Sequence, residues 1–152
     1  MPSGQVNQEE TTRIDPMSKE QRSAQMAKVR SIGNKSTEIQ VEDVLTQFGI
    51  QGWEKHPRSV LGTPDFFFAD YKLVIFVDGC FWHGCPLCKR RTPKSEIWRK
   101  KLENNVKRDN RIHRQLRRDG YHVMRIWEHD FKKENWLKRL QLMIRRIEKT
   151  SK

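Results

Sequence analysis

Two apolar runs set the terms for any fold this chain can adopt. Phe66-Phe67-Phe68, introduced by Pro64-Asp65 and followed by Ala69, lies only a few residues before Leu73-Val74-Ile75-Phe76-Val77. Aromatic and β-branched residues favour extended backbone, and both faces of each run are apolar. Strands of that kind belong in the middle of a sheet covered on both sides. So short a connection cannot make a parallel crossover, so the two pair as an antiparallel hairpin. Each run carries an acid at its outer end: Asp65 opens the first and Asp78 closes the second. With a tight turn at Tyr71-Lys72, Asp65 would lie directly across from Asp78. Opposed side chains share a face, with Cβ atoms roughly 4.5–5.5 Å apart. Two carboxylates that close call for a cation between them, and Mg²⁺ accepts one or two carboxylates together with substrate phosphates. Taken alone, Asp65 reads as a strand-boundary residue after Pro64; the second acid on the neighbouring strand is what suggests a site. Glu38, in the first turn of a helix, is a third candidate acid, though a carboxylate there also favours the helix dipole.

The remaining segments surround that hairpin. Residues 1–16 are polar, lack periodicity and are expected to be a disordered tail, leaving residues 17–152 as a single domain. Ser18 with Gln21 forms a capping-box pattern that opens a short basic helix, which "GNKS" is expected to break. Thr37 with Gln40 repeats the signal and opens a second helix, with Ile39, Val41, Val44, Leu45 and Phe48 as its buried stripe and Gly49 ending it. "IQGWEKH" is a further strand. A long helix runs from about Ser95 to Asp119, with Trp98, Leu102, Val106, Ile112 and Leu116 as a thin apolar stripe. Asn105 and Asp109 fall on or beside that stripe, unusual for a plain amphipathic helix. "YHVMRIWEH" is a last strand, and Trp136, Leu137, Leu140, Ile144 and Ile147 mark a C-terminal amphipathic helix. The expected order is α-α-β-β-β-α-β-α, an α/β sandwich around a mixed sheet.

Every cysteine lies in "CFWHGCPLC", residues 80–88. An odd number of clustered thiols argues against a disulfide framework, and Cys85-Pro86-Leu87-Cys88 is a CxxC knuckle. Tetrahedral structural Zn²⁺ needs four ligands, so Cys80, Cys85 and Cys88 require one more. His83 lies inside the loop, but drawing four ligands from nine residues would strain it. His129 reaches the loop if its strand neighbours Leu73–Val77, and it is the favoured fourth ligand. Such a staple would hold Phe81 and Trp82 out of the core. Rings presented beside a basic surface can wedge between base pairs, and Trp98, after the basic run "KRRTPKSE", is a third candidate wedge.

Lys and Arg number 31 against 19 Asp and Glu, a formal charge of +12. That excess favours a polyanion such as nucleic acid, whose condensed counterions are released on binding. No apolar run approaches the roughly 20 residues a bilayer span requires, and no signal-peptide shape opens the chain. It therefore reads as cytoplasmic, where thiols stay reduced, with no membrane partner.

Together these residues resemble the very-short-patch-repair (Vsr) mismatch endonucleases. "TPDF", "VIFVDGCFWHGCP", "IWRKKLENNVKRDNR" and "VMRIWEH" occur in that family's order and spacing, and the likeness runs from about Met17 to Phe131. The resemblance implies a restriction-endonuclease-like core, a mixed central sheet flanked by helices with one structural zinc site. It implies an endonuclease that nicks one strand of duplex DNA beside a T:G mismatch, left when 5-methylcytosine deaminates. By resemblance, Asp65 and the Val77 backbone carbonyl hold a catalytic Mg²⁺, and Asp78 is a direct ligand, a water-bound one or only electrostatic. His83 matches a catalytic histidine that activates water, and Glu38 an acid near the scissile phosphate. Phe81, Trp82 and Trp98 match rings that intercalate beside the mismatch. Cys80, Cys85, Cys88 and His129 match the zinc positions, and the helix from Ser18 an arm that embraces DNA. Cys80 occupies the place where restriction-type sites usually carry a lysine, which fits a histidine taking over proton transfer. One nick needs one active site, so a monomer on nucleoid DNA is expected, with other repair proteins as further candidate partners. Two alternatives remain: an endonuclease nicking another DNA structure or sequence, and a zinc-stapled DNA-binding module without catalysis.

Overall fold

The computed structural model describes residues 18–88, 93–133 and 135–151, with backbone alone for residues 19, 22 and 25–35. The N-terminal tail and the first half of the basic run after Cys88 lie outside the described residues. Helix α1 spans Lys19–Gln47 and opens with the capping box read from the sequence. Ser18 Oγ accepts from the Gln21 N–H, and Gln21 Oε1 accepts from the Ser18 N–H. The expected break at Gly33-Asn34-Lys35-Ser36 does not occur, so the two expected N-terminal helices are one. Gly and Asn are poor helix formers, but Gly costs only about 1 kcal/mol and neither interrupts the hydrogen-bond ladder as Pro would. Val41 and Leu45, both fully buried, anchor the C-terminal half of α1 on the sheet, whereas Ile39 and Phe48 turn outward and are mostly exposed. Gly49 ends the helix at a positive φ of 65°. Its N–H donates to the Thr46 carbonyl and that of Ile50 to the Leu45 carbonyl, a Schellman motif.

Strands β1 (Trp53–Lys55), β2 (Phe66–Phe68), β3 (Leu73–Asp78) and β4 (His122–Trp127) form one sheet in that order. β1, β2 and β3 are antiparallel, while β4 runs parallel to β3. The parallel step is made by α2 (Glu96–Arg118), and α3 (Asn135–Thr150) follows β4. One sheet face, with Phe66, Phe68, Leu73, Ile75 and Ile126, packs against α1 and against Trp136, Leu140 and Ile147 of α3. The opposite face, with Val74, Phe76 and Val123, packs against Ile112 and Leu116 of α2 and against Val60. The two apolar runs are therefore the inner strands, as their double-sided hydrophobicity requires.

The hairpin register differs from expectation. Phe68 pairs with Leu73 and Phe66 with Ile75, which places Asp65 beside Phe76 rather than across from Asp78. The turn is longer than the sequence suggested: Ala69–Tyr71 form a turn of 3₁₀ helix, and Lys72 closes it in the left-handed region at φ 44°. The shift is two residues, not one. Because side chains alternate with a period of two, Asp65 and Asp78 keep the same face and become diagonal neighbours.

Gly62 (φ 80°) lies where the loop before β2 meets α2, and a Cβ there would stand 2.5 Å from Ile112 Cγ2. Ile112 is β-branched on a helix and has little freedom to swing away. A Cβ on Gly49 meets nothing within 4 Å. Gly49→Ala should therefore cost only the left-handed backbone penalty, about 1–2 kcal/mol. Gly62→Ala should cost that plus an overpacking term of about 1–3 kcal/mol. Urea unfolding of the two variants measures the difference.

A candidate catalytic cleft beside a cysteine–histidine cluster

Where β2 and β3 meet α2, a cleft of about 400 Å³ is lined by Asp65, Val77, Asp78, His83 and Asp109. Asp65 sits at the start of β2, its N–H donating to the Ile75 carbonyl at 2.9 Å. Its Oδ2 accepts from the Val77 N–H at 2.6 Å. On its other side stands His56, whose Nε2 lies 2.9 Å from Glu38 Oε2 and 3.7 Å from Asp65 Oδ1. α1 thus delivers Glu38 to the mouth of the hairpin as the sequence suggested. His56, which follows β1 at a positive φ of 49°, turns its imidazole toward both acids. Burial pushes the Asp65 carboxyl up from the ordinary 3.8 to about 7; the Val77 hydrogen bond opposes this, and the charges of Glu38 and Asp78 add to it.

Asp78 is buried and already matched. Arg125, on β4, donates Nε–H to its Oδ2 at 2.5 Å while the guanidinium stacks 4.1 Å from the Trp127 ring centroid. The other Asp78 oxygen is 3.5 Å from His83 Nδ1. The nearer partner of that nitrogen is Asp109 on α2, at 2.6 Å. Burial alone would raise the Asp109 carboxyl, but the hydrogen bond and charge of His83, and then Arg108, bring it below the usual range. Asp109 is therefore an ionised acceptor for an N–H on Nδ1 of His83, and in the neutral ring that tautomer puts the lone pair on Nε2. His113, also on α2, packs at 4.8 Å centroid separation on Phe76 and is held below the ordinary histidine value by burial and then by Arg125.

Beyond β3 the chain enters the cysteine loop. Cys80, Cys85 and Cys88 place their sulfurs 3.2, 3.5 and 3.3 Å from His129 Nδ1. His129 lies in the 3₁₀ turn Glu128–Lys132, just past the end of β4. The four side chains form a set that can hold a metal ion, as do Glu38–His56–Asp65 and Asp78–His83–Asp109. His83 stands apart from the sulfurs and faces the acids. Burial pushes the Cys80 thiol up to about 12. The same effect on Cys85 is outweighed by the backbone N–H groups of Leu87 and Cys88, which lower it. Asp130 lies 3.5 Å from His129 Nε2, a carboxylate behind the imidazole.

The loop also carries the rings. Phe81 and Trp82 meet edge to face at 4.9 Å, and Trp82 meets Trp98 of α2 at 5.6 Å. Phe81 is exposed, while the two tryptophans are half-buried against each other. Leu87 and Ile97 flank them, each 78% exposed.

Residues 14–89 match the profile of the family described as DNA mismatch endonuclease Vsr. The Type II nicking enzyme V.NmeDIP of Neisseria meningitidis serogroup C is 34% identical over 120 residues, covering 77% of this chain and 80% of that one. The Type II nicking enzyme V.XorIIP of Xanthomonas oryzae pv. oryzae is 37% identical over 116 residues, 75% and 84% of the two chains. The DNA mismatch endonuclease Vsr of Escherichia coli K12 is 36% identical over 104 residues, 66% of each. The chain belongs to the Vsr family. Membership makes it an enzyme, a DNA endonuclease, and its mixed α/β fold is the restriction-endonuclease-like one. The reading as a DNA-binding module without catalysis falls away. No helix among the described residues is long and apolar enough to cross a membrane.

Within this Vsr-family chain, sequence reasoning missed His56, Asp109 and Arg125 as parts of the site. Only Asp109 left a signal, as a carboxylate lying on the apolar stripe of α2. The state of Asp65 has a measurable consequence. An acid with its folded value near 7 binds a proton that the unfolded chain has released at 3.8. Stability therefore falls as pH rises through that window. Asp65→Asn should gain stability over the parent progressively from about pH 4 to pH 7. Melting curves across that range, without added divalent cation, should show a widening gap; a constant gap would mean that Asp65 titrates as an ordinary carboxylate.

Proposed function

We propose that this chain is a Mg²⁺-dependent endonuclease that nicks one strand of duplex DNA beside a T:G mismatch arising from 5-methylcytosine deamination. It acts as a monomer on nucleoid DNA in the cytoplasm. The observation that carries the reading is the cleft itself: an under-neutralised acid, Asp65, and a histidine held by Asp109 line the same cavity. The donor chemistry at Asp65 fits a divalent cation, because burial and neighbouring Glu38 and Asp78 leave its carboxyl short of positive charge. Asp65 and the Val77 carbonyl would hold Mg²⁺, which when bound neutralises the phosphate and the departing 3′ oxygen. Glu38 adds negative charge at the same mouth.

His83 takes the proton of the attacking water on Nε2, because Asp109 fixes the Nδ1–H tautomer and stabilises the imidazolium that results. Asp78, matched by Arg125, acts through His83 as a second acceptor behind Nδ1 and not as a metal ligand. Zn²⁺ suits the other cluster. Donors at about 2.0–2.3 Å from a tetrahedral centre stand roughly 3.6 Å apart, close to the 3.2–3.5 Å between His129 Nδ1 and the sulfurs. Four protein donors leave no open position, so this zinc is structural. Bound there, it would fix the loop from which Phe81, backed by Trp82 and Trp98, enters the base stack beside the mismatch.

Several relatives carry the name Type II nicking enzyme, which favours as second reading a nicking endonuclease of another specificity. End-labelled T:G and matched duplexes, each with and without Mg²⁺, separate the two. The proposed enzyme nicks only the T:G duplex and only with Mg²⁺; equal cutting of the matched duplex supports the second reading. Asp65→Ala should reduce nicking to background and retain DNA binding. His83→Ala should lower the rate by about 10²- to 10⁴-fold with zinc content unchanged. Full nicking by Asp65→Ala in Mg²⁺ would remove the proposed site.

A further inference from the structure

β4 is the outer strand of the sheet, and among the described residues no strand lies along its far edge. The sense of that edge follows from the parallel ladder with β3. The His122 N–H donates to the Lys72 carbonyl at 2.8 Å, so His122, Met124 and Ile126 turn their backbone groups toward β3. Backbone groups alternate along a strand, so those of Val123 and Arg125 turn outward. The Arg125 carbonyl does so, accepting from Arg139 Nη2 at 2.7 Å. Among the described residues nothing pairs with the Val123 N–H, the Val123 carbonyl or the Arg125 N–H. Edge strands with open backbone groups template pairing with another chain unless something covers them.

That edge and α3 enclose a groove of about 600 Å³. Four consecutive residues, from His122 to Arg125, line it. Side chains alternate between faces, so four in a row reach one groove only through the edge of the strand. Leu142, Met143 and Ile147 of α3 supply an apolar wall, and Leu142 is 45% exposed. Arg139 and Arg146 also line the groove, and among the described residues no carboxylate does. No residue lining it lines the catalytic cleft.

We propose that this groove receives an extended, acidic segment of another protein, which pairs with β4 as a fifth strand. The Val123 N–H, the Val123 carbonyl and the Arg125 N–H supply main-chain hydrogen bonds, alternate apolar side chains pack on Leu142 and Met143, and the intervening carboxylates meet Arg146. Duplex DNA would satisfy the arginines but would leave the apolar wall and the outward backbone groups unmatched. The proposal stands apart from the substrate of the nuclease: Arg125 lines the groove and its guanidinium reaches Asp78 on the cleft side, but Arg146, Leu142 and Met143 belong to the groove alone.

The test uses the full chain, isotope-labelled, with blocked heptapeptides alternating valine with glutamate or valine with lysine, and with a matched DNA duplex. The glutamate peptide should bind saturably and slow hydrogen exchange at the Val123 and Arg125 amides. Arg146→Glu should weaken that binding by about tenfold or more through like-charge repulsion, with DNA nicking unchanged. Val123→Pro, which removes an outward N–H and no bond to β3, should weaken it as well. The proposal is overturned if the glutamate peptide fails to saturate at millimolar concentration or leaves both amides unprotected when bound. Equal binding of the lysine peptide, or protection of the same amides by the duplex, overturns it too.

Discussion

The parallel pairing of β3 with β4 is the constraint on which the rest of the site depends. Its register sets Asp78 beside Trp127 and Phe76 beside Arg125. Continued two residues past the strand ends, the same register brings Cys80 level with His129, which is how one histidine collects three sulfurs from a loop that follows a different strand. Two residues earlier it puts Arg125 diagonally beside Asp78, where the guanidinium neutralises the acid. The loop so fixed carries His83 back over the sheet to Asp109 on α2. A staple at the end of the ladder and an ion pair inside it thus aim the imidazole into the cleft.

That ion pair also explains why one acid among several is left for a cation. In a chain of net charge +12, the carboxylates of the cleft are not interchangeable. Asp78 has Arg125, and Asp109 has His83 and Arg108. Asp65 has a backbone N–H, a half-exposed His56 at 3.7 Å and two acidic neighbours, so its burial is poorly compensated. A carboxyl in that position holds its proton to a higher pH than usual, and a cation beside it would reverse the shift. The distribution of partners, more than the number of acids, is what makes Asp65 the proposed ligand.

Much of this was legible in the residues, because short-range patterns and covalent spacing carry it. The CxxC and the histidine closing the β4 segment named the sulfur–imidazole cluster, since only a neighbouring strand lets His129 reach the loop. The double-sided apolar runs named the inner strands, and Gly49 named a helix end that needs a left-handed residue. What was not legible depends on tertiary choice. Lys72 adopts a left-handed conformation that its side chain does not advertise, which lengthens the hairpin turn and moves Asp65 by two residues. Gly33-Asn34 look like a stop, yet packing of Val41 and Leu45 holds the C-terminal half of a single helix on the sheet. His56 joins Glu38 and Asp65 only because β1 docks on β2 with a positive φ at its end. Arg125, read as one residue of an alternating strand, gains its meaning from the acid diagonal to it.

The central claim is that the cation held by Asp65 and the imidazole of His83 occupy one cleft. Paramagnetic relaxation by Mn²⁺ added in Mg²⁺-free buffer reports that separation directly. The account predicts that the ring signals of His83 broaden at substoichiometric Mn²⁺, and that Asp65→Asn removes the effect. Saturable Mn²⁺ binding that Asp65→Asn abolishes, with the His83 signals left sharp throughout, would contradict it.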